Sequence, residues 1–263
     1  MITLFDFLRE FERMFQVQEN DIFNLIKLGP ANPIESKKFM VNKCIISPNF
    51  NYNAISSFLE ENADLMLLFY TWNTNQITDD LYKKFRFIGN KKICIIEFPK
   101  SFYSIPFGIH ERIGFFLGLE LDGLFNLQNY SSGRIFKPKQ LNFNFNLLLN
   151  IISNKINQKY INYICPNNKL SEPLSRILIY LEKPLSEDII IHAYRKGIDA
   201  IICSKIDFVS SMTANDHNIK LCELSDNWLN IVLYNFTRDI SLEIPKIQFI
   251  FKPVNIPIKM FSS

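Results

Sequence analysis

The sequence predicts an α/β protein of two similar lobes, built from strand–helix–strand repeats with mostly parallel or mixed sheets. Two observations carry this expectation. Short, continuously apolar runs alternate with helix-period segments, the pattern of strands buried on both faces and linked by helices. The pattern also occurs twice. Asp64 and Asp199 stand 135 residues apart (199 − 64), and a shift of that size lays VNKCIISPNFNYNAISSFLEENADLMLLFY onto RILIYLEKPLSEDIIIHAYRKGIDAIICSK without a gap. Few residues are identical, but strand, turn, helix and strand coincide in phase.

Taken in order, residues 2–15 space Leu4, Phe5, Phe7, Leu8, Phe11 and Phe15 as one face of an amphipathic helix. VNKCIIS (41–47) is a strand, residues 51–62 a helix with Ala54, Ile55, Phe58 and Leu59 inward, and 64–69 a second strand. KICIIE (92–97) is a third strand, and a helix runs from about Ile105 to Leu119 after a Pro-Phe-Gly turn. SSGRIFKPK (131–139) suggests a basic turn or hairpin. LNFNFNLLLNIISNKI (141–156) starts with strict alternation and passes into helix spacing, so its opening fits either structure. KYINYIC (159–165) is strand-like, 166–173 a loop, 176–183 a strand, 186–197 a helix and 199–204 a strand. IKLCEL (219–224) and a helix near 226–237 then answer KICIIE and the helix at 107–117. Prolines flanking Ile247, Phe249 and Phe251 suit an edge strand followed by an extended arm. The expected division is a first lobe over 1–130, a connecting region over 131–175, and a second lobe over 176–263.

Composition narrows the function. A chain of 263 residues is long enough for a substantial core. Its net charge of +3 is far from the basic footprint of a dedicated nucleic-acid binder. None of the five cysteines, Cys44, Cys94, Cys165, Cys203 and Cys222, has zinc-finger or CxxC spacing, so reduced thiols in a cytoplasmic setting are expected. No run approaches the ~18 apolar residues of a membrane span. The acidic, amphipathic start is unlike a signal peptide. With 8 glycines there is no phosphate-binding glycine loop and no nucleophile elbow.

The order of pieces resembles the family of NGG-one-interacting factor three, the type-two GTP cyclohydrolase homologues, over nearly the whole chain. The carrying segments are VNKCIIS, ENAD and LMLLFY in the first half, Pro106-Phe107-Gly108-Ile109 with LGLE (117–120), and Ser132-Gly133-Arg134-Ile135. In the second half they are GIDAIICSK (197–205) and IKLCELSDNW (219–228). The resemblance implies two similar α/β lobes, assembly into a toroidal hexamer or a dimer, and a site for two divalent metal ions between the lobes. The stretch 139–175 is too short for the extra middle domain that some members carry.

Where this sequence departs from the family, the departures fall on the metal ligands. The family's His-His-Pro run falls on Phe69-Tyr70-Thr71, its ligand Asp on Tyr103, and its last His and Glu on Asp226 and Asn230. Two neighbouring cations repel, and several carboxylates and imidazoles must offset that repulsion. Phe cannot ligate, neutral Tyr is a poor ligand and Asn offers one carbonyl, which leaves Asp226. The expected cofactor is therefore none, with Phe69 and Tyr70 sealing a vestigial cleft and Lys205, Glu97 and Glu223 as its neighbours.

Other constellations have bland readings beside sharper ones. His110-Glu111 begins like a zincin motif but lacks the second His, so an exposed polar pair is expected. His192 suits a half-buried helix position, and Asp216-His217 a turn. Glu97 and Glu223 end strands, as a carboxylate pair on the cleft or as solvated ends. Lys100, Arg134, Lys137 and Lys139 form a basic rim or scattered charge. Phe143, Phe145, Phe249 and Phe251 serve edge pairing between subunits or ordinary packing. The expected function is a metal-free, non-catalytic oligomeric scaffold or protein-binding factor with no membrane association. The rivals are a metal-dependent hydrolase or GTP-cyclohydrolase-like enzyme with a shifted ligand set, and a nucleic-acid-associated factor.

Overall fold

The computed structural model describes residues 1–17, 21–72, 78–127 and 130–254. The first hundred residues contain β1 (Ile2–Thr3), α1 (Leu4–Phe15), β2 (Ile26–Leu28), α2 (Pro33–Ser36), β3 (Met40–Val41), β4 (Lys43–Asn49), α3 (Tyr52–Glu60), β5 (Leu65–Tyr70), α4 (Asp79–Ile88) and β6 (Cys94–Glu97). Then follow α5 (Ile109–Leu117), β7 (Glu120–Leu127), β8 (Tyr130–Lys137), α6 (Phe145–Ile156), β9 (Tyr163–Ile164), β10 (Ile177–Tyr180), α7 (Glu187–Arg195), β11 (Ala200–Cys203), α8 (Phe208–Asp216) and β12 (Lys220–Glu223). The chain closes with α9 (Asn227–Glu243) and β13 (Gln248–Phe251).

Two compact units result: Met1–Ser101 with Leu229–Ser263, and Phe102–Trp228. This differs from the division expected from sequence. The hairpin β7–β8 is not a connector, because β8 pairs antiparallel with β10 and so extends the second sheet. The C-terminal strand returns to the first unit, because β13 pairs parallel with β4. The two helices matched in the sequence are likewise split between units, α5 falling in the second and most of α9 in the first.

The first unit holds a five-stranded sheet in the order β13-β4-β5-β6-β2, parallel except for β2. The second holds a six-stranded sheet in the order β7-β8-β10-β11-β12-β9, whose central three strands are parallel. Strand burial is continuous, with β5 buried from Leu65 to Phe69 and β10 and β11 buried throughout, as parallel strands covered on both faces require.

The repeat holds at the level of single devices. Shifted by 135, α3 (52–60) lands on α7 (187–195), residue for residue. The helix-to-strand turn takes a left-handed residue at the same step in both, Asn62 (φ 50°) and Gly197 (φ 66°), the two residue types that accept it most readily. Each unit then uses its aspartate as a clamp. Asp64 Oδ2 accepts from the backbone N–H groups of Asn42 and Lys43 at 2.8 and 3.2 Å, and Asp199 Oδ2 from those of Ser175 and Arg176 at 2.7 and 2.9 Å.

Several elements depart from expectation. The helices α4 and α8 and the strand β7 were not anticipated, and 131–137 is a strand. Residues 141–145 form no strand: Phe143 and Phe145 are buried and α6 starts at Phe145, capped by Asn144, whose side chain accepts from Leu147 N–H at 2.9 Å. An edge strand does form at 248–251, while the arm proposed after it lies mostly outside the described residues.

Candidate functional site

In the first unit the family's ligand positions are occupied by groups with other tasks. β5 carries Phe69 inward and Tyr70 outward, the alternation of a strand leaving its sheet. Phe69 is buried against Phe98, ring centroids 6.3 Å apart, and meets Tyr70 edge to face at 4.7 Å; Tyr70 is 52% exposed. Phe98 belongs in turn to a ring cluster with Phe11, Phe15 and Phe236, at centroid distances of 6.0, 5.7 and 5.2 Å. Asn230, in the first turn of α9, ties down the chain beyond β13: its Nδ2 donates to Val254 O at 3.0 Å and its Oδ1 accepts from Val254 N–H at 3.1 Å. Glu97 ends β6 in an ion pair with Lys27 at 2.9 Å.

In the second unit Tyr103 is buried at the end of a short 3-10 turn, its ring 5.7 Å from that of His110. Asp226 is exposed in the turn before α9, and Lys205 is exposed after β11. Glu223 accepts the Ile206 N–H at 3.0 Å, which holds the loop after β11. Glu97 and Glu223 thus each serve their own unit as loop or strand-end fasteners.

The polar centre of the second unit is one that sequence reasoning placed on the surface. His110 and Glu111 are buried, at 0% and 5% exposure, and so is Arg134 at 2%. The helix α5 is packed on β8 and β10, with His110 and Glu111 in its first turn. That burial forces Glu111 to find a cation, and the one at hand is Arg134 of β8, whose Nε donates to Glu111 Oε1 at 2.7 Å. The second carboxylate oxygen accepts the N–H of Phe107 at 2.8 Å, and the guanidinium also donates to the carbonyls of Ser104 and Gly133. The pair therefore holds both ends of the 104–107 loop. In that loop Phe107 takes a left-handed φ of 57° with its ring 69% exposed, a conformation uncommon for a bulky side chain. Arg134 is accordingly no part of a basic rim, and of the four residues assigned to one, Lys137 pairs with Glu120 at 3.6 Å.

His110 is fixed just as firmly. Its Nε2 accepts the Leu181 N–H at 3.1 Å, so the ring proton sits on Nδ1, which has no hydrogen-bond partner among the described residues. Burial, with the Arg134 charge adding to it, pushes the imidazole down to about 3. It is neutral at physiological pH and neither a general acid nor an accessible metal ligand.

The remaining chemistry points the same way. Burial raises the thiols of Cys44, Cys94, Cys203 and Cys222, Cys203 to about 12, so they stay protonated and are poor nucleophiles. His192 is half-buried and packs edge to face on Phe125 at 5.2 Å. Among the described residues no three His, Cys, Asp or Glu side chains gather to hold a metal ion. The donor set at the family's ligand positions, one carboxylate with one amide, two phenols and a phenyl ring, does not fit two divalent cations.

No protein-family model and no curated protein matches the sequence. Solved structures match along nearly the full length at low identity. The protein ybgI aligns with a TM-score of 0.79 at 10% identity, covering 98% of this chain and 100% of that one. A Bacillus cereus protein related to NIF3 aligns at 0.78 and 9% identity, covering 99% of each chain. Reduced HcgD from Methanocaldococcus jannaschii aligns at 0.74 and 15% identity, covering 95% and 97%. Likeness at such identities is a likeness of fold.

Proposed function

From a chain that has the fold of the NIF3-related structures, we propose a divergent, metal-free and non-catalytic protein that acts as an oligomeric scaffold or protein-binding factor. The observation that carries this reading is the fate of the family's ligand positions. Phe69 is a member of a packed ring cluster, Asn230 spends both ends of its amide on Val254, and Tyr103 is buried beside a neutral imidazole. Asp226 is the one carboxylate left. Rings and amides at these places support a loss of cation-binding chemistry, since they offer few or no donors to a divalent ion. Free cysteines with protonated thiols suit a reducing compartment such as the cytoplasm. No helix of the described residues is long and apolar enough to cross a membrane.

The test is a metal inventory of protein purified without chelators, together with its mass in solution by light scattering. Expected are a self-associated species, metal far below one ion per chain, and no change in melting temperature on adding EDTA. Two tightly held divalent ions per chain, lost in Asp226→Ala together with a hydrolase or GTP-cyclohydrolase-like activity, would establish the enzyme reading instead.

A further inference from the structure

We propose that the outward face of α4, together with Tyr52 of α3, is a binding surface for single-stranded nucleic acid. After the exposed Asp79 and Asp80 of its first turn, α4 and the residues beyond it carry Lys83, Lys84, Arg86, Lys91 and Lys92, with no acidic residue over 82–92, within a chain whose net charge is only +3. Of these, Lys91 is engaged by Leu59 O and Asn62 Oδ1. The helix gives this run a geometry. Residues four apart share a row on a helix surface, so Tyr82 stands with Arg86 and Lys83 with Phe87, each row joining one ring to one cation. The rings are not needed by the core: Leu81 and Ile88 are buried on the inner side, and Phe85 packs against Phe50 and Trp72 at 5.7 and 5.2 Å. Tyr82, Phe87 and Tyr52 are left 58%, 51% and 43% exposed.

The exposed rings are held in place. Tyr52 meets Phe87 edge to face at 6.1 Å, and the Lys84 ammonium lies 5.6 Å from the centre of the Tyr52 ring. Lys84 is occupied by Asp80 at 2.6 Å, whereas Lys83 and Arg86 take part in no ion pair of the described residues. Exposed rings interleaved with uncommitted cations select among polyanions. An acidic peptide would use the cations and leave the rings in water. A lipid surface would call for a continuous apolar face to insert between the headgroups, whereas here three rings alternate with cations. An unpaired strand offers base faces to stack and phosphates to neutralise at the same spacing, whereas a duplex hides its base faces.

The proposal stands apart from the metal-free reading, and its test is separate. Fluorescence anisotropy of the full chain would use a labelled oligo-dT of ~20 nucleotides, long enough to span one binding site, with the matching duplex, phosphatidylserine vesicles and polyglutamate as competitors. Oligo-dT is expected to bind best and to weaken steeply as salt rises from about 50 to 200 mM. Tyr82→Ala/Phe87→Ala should weaken oligo-dT about 5- to 100-fold while leaving the residual duplex binding unchanged. Lys83→Glu/Arg86→Glu should weaken it and flatten the salt dependence. All four side chains are solvent-facing, so both variants should melt like the parent protein. Absence of binding at low salt, binding untouched by either pair of substitutions, or preference for vesicles or polyglutamate would overturn the proposal.

Discussion

The two units share a strand–helix–strand frame and stabilise it with different chemistry. Behind β4, β5 and β6 the first unit packs rings and aliphatics: Phe11, Phe15, Phe98 and Phe236 interlock, and its buried polar side chains among the described residues, Ser36, Ser47 and Thr237, are all uncharged. Behind β10, β11 and β12 the second unit buries Glu111, Arg134, Lys220 and a neutral His110. The helices between the second and third parallel strands of each unit differ too: α4, which joins β5 to β6, shows two acids, cations and rings to solvent, while α8, which joins β11 to β12, shows the apolar Phe208, Val209 and Met212. A duplicated backbone therefore does not duplicate the interior. The hydrogen-bonded frame tolerates either filling, provided each buried charge meets its partner.

The sharpest break in the comparison should come from the ion pair. Arg134→Met strands Glu111 without its cation and should cost about 3–5 kcal/mol in urea denaturation. Glu111→Leu/Arg134→Met should recover most of that, because an apolar pair of similar volume suits such a site as well as a paired charge does. A double variant no better than the single would mean that the tie to the 104–107 loop, rather than the stranded charge, sets the cost.

The aspartate clamps test the sameness of the units instead. Asp64→Ala and Asp199→Ala each remove a carboxylate that accepts two backbone N–H groups, a loss of about 1.5–3 kcal/mol by the usual value of hydrogen bonds to charged groups. The two losses should agree within the error of the measurement. A marked inequality would show that the repeat is geometric and not energetic.

His110 gives a pH signature confined to the second unit. Its folded value is depressed to about 3 from an ordinary 6.5, so the unfolded chain binds a proton that the folded protein refuses. The associated stability is whole above pH 6.5 and is lost as pH falls toward 3, at up to about 1.4 kcal/mol per pH unit in between. His110→Gln, which can keep an acceptor for the Leu181 N–H, should flatten the curve of unfolding free energy against pH across that window. An unchanged slope would place the acid sensitivity elsewhere.

The difference between the units also explains what the sequence could and could not convey. Apolar runs and phase made α1, β4, α3, β5, β10, α7 and β11 legible, because burial on both faces leaves a local pattern. α8 buries only Ser210 and Ala214 and so has no apolar stripe to detect. β7 does alternate, with Leu121, Phe125 and Leu127, but Gly123 interrupts it and acids flank it. The Glu111–Arg134 pair joins residues 23 apart on a helix and a strand. Neither spacing nor polarity announces such a contact. An arginine set directly before the apolar Ile135-Phe136 was the one available signal. At the ligand positions the identities of Phe69, Tyr103 and Asn230 are legible, but the ring cluster and the Val254 tie that occupy Phe69 and Asn230 join segments distant in sequence and leave no local pattern.

The smallest expected effect is also the most local. Among the described residues, six of the eight non-glycine residues with positive φ are asparagines, which tolerate it; Phe107 is the aromatic one. Its strained backbone sits where the N–H reaches Glu111, so the buried pair and the loop conformation support each other. Phe107→Gly relieves about 1–2 kcal/mol of left-handed strain and gives back roughly half of that as added freedom of the unfolded chain. The net result should be a stabilisation of under about 1 kcal/mol, seen as a melting temperature raised by a few degrees. One residue on, Gly108→Ala should act in the opposite direction, because its Cβ would stand 2.4 Å from the Phe102 carbonyl oxygen. If Phe107→Gly destabilised the protein, the exposed ring would be held by contacts stronger than its strain, and the loop would be a packed surface and not a tethered one.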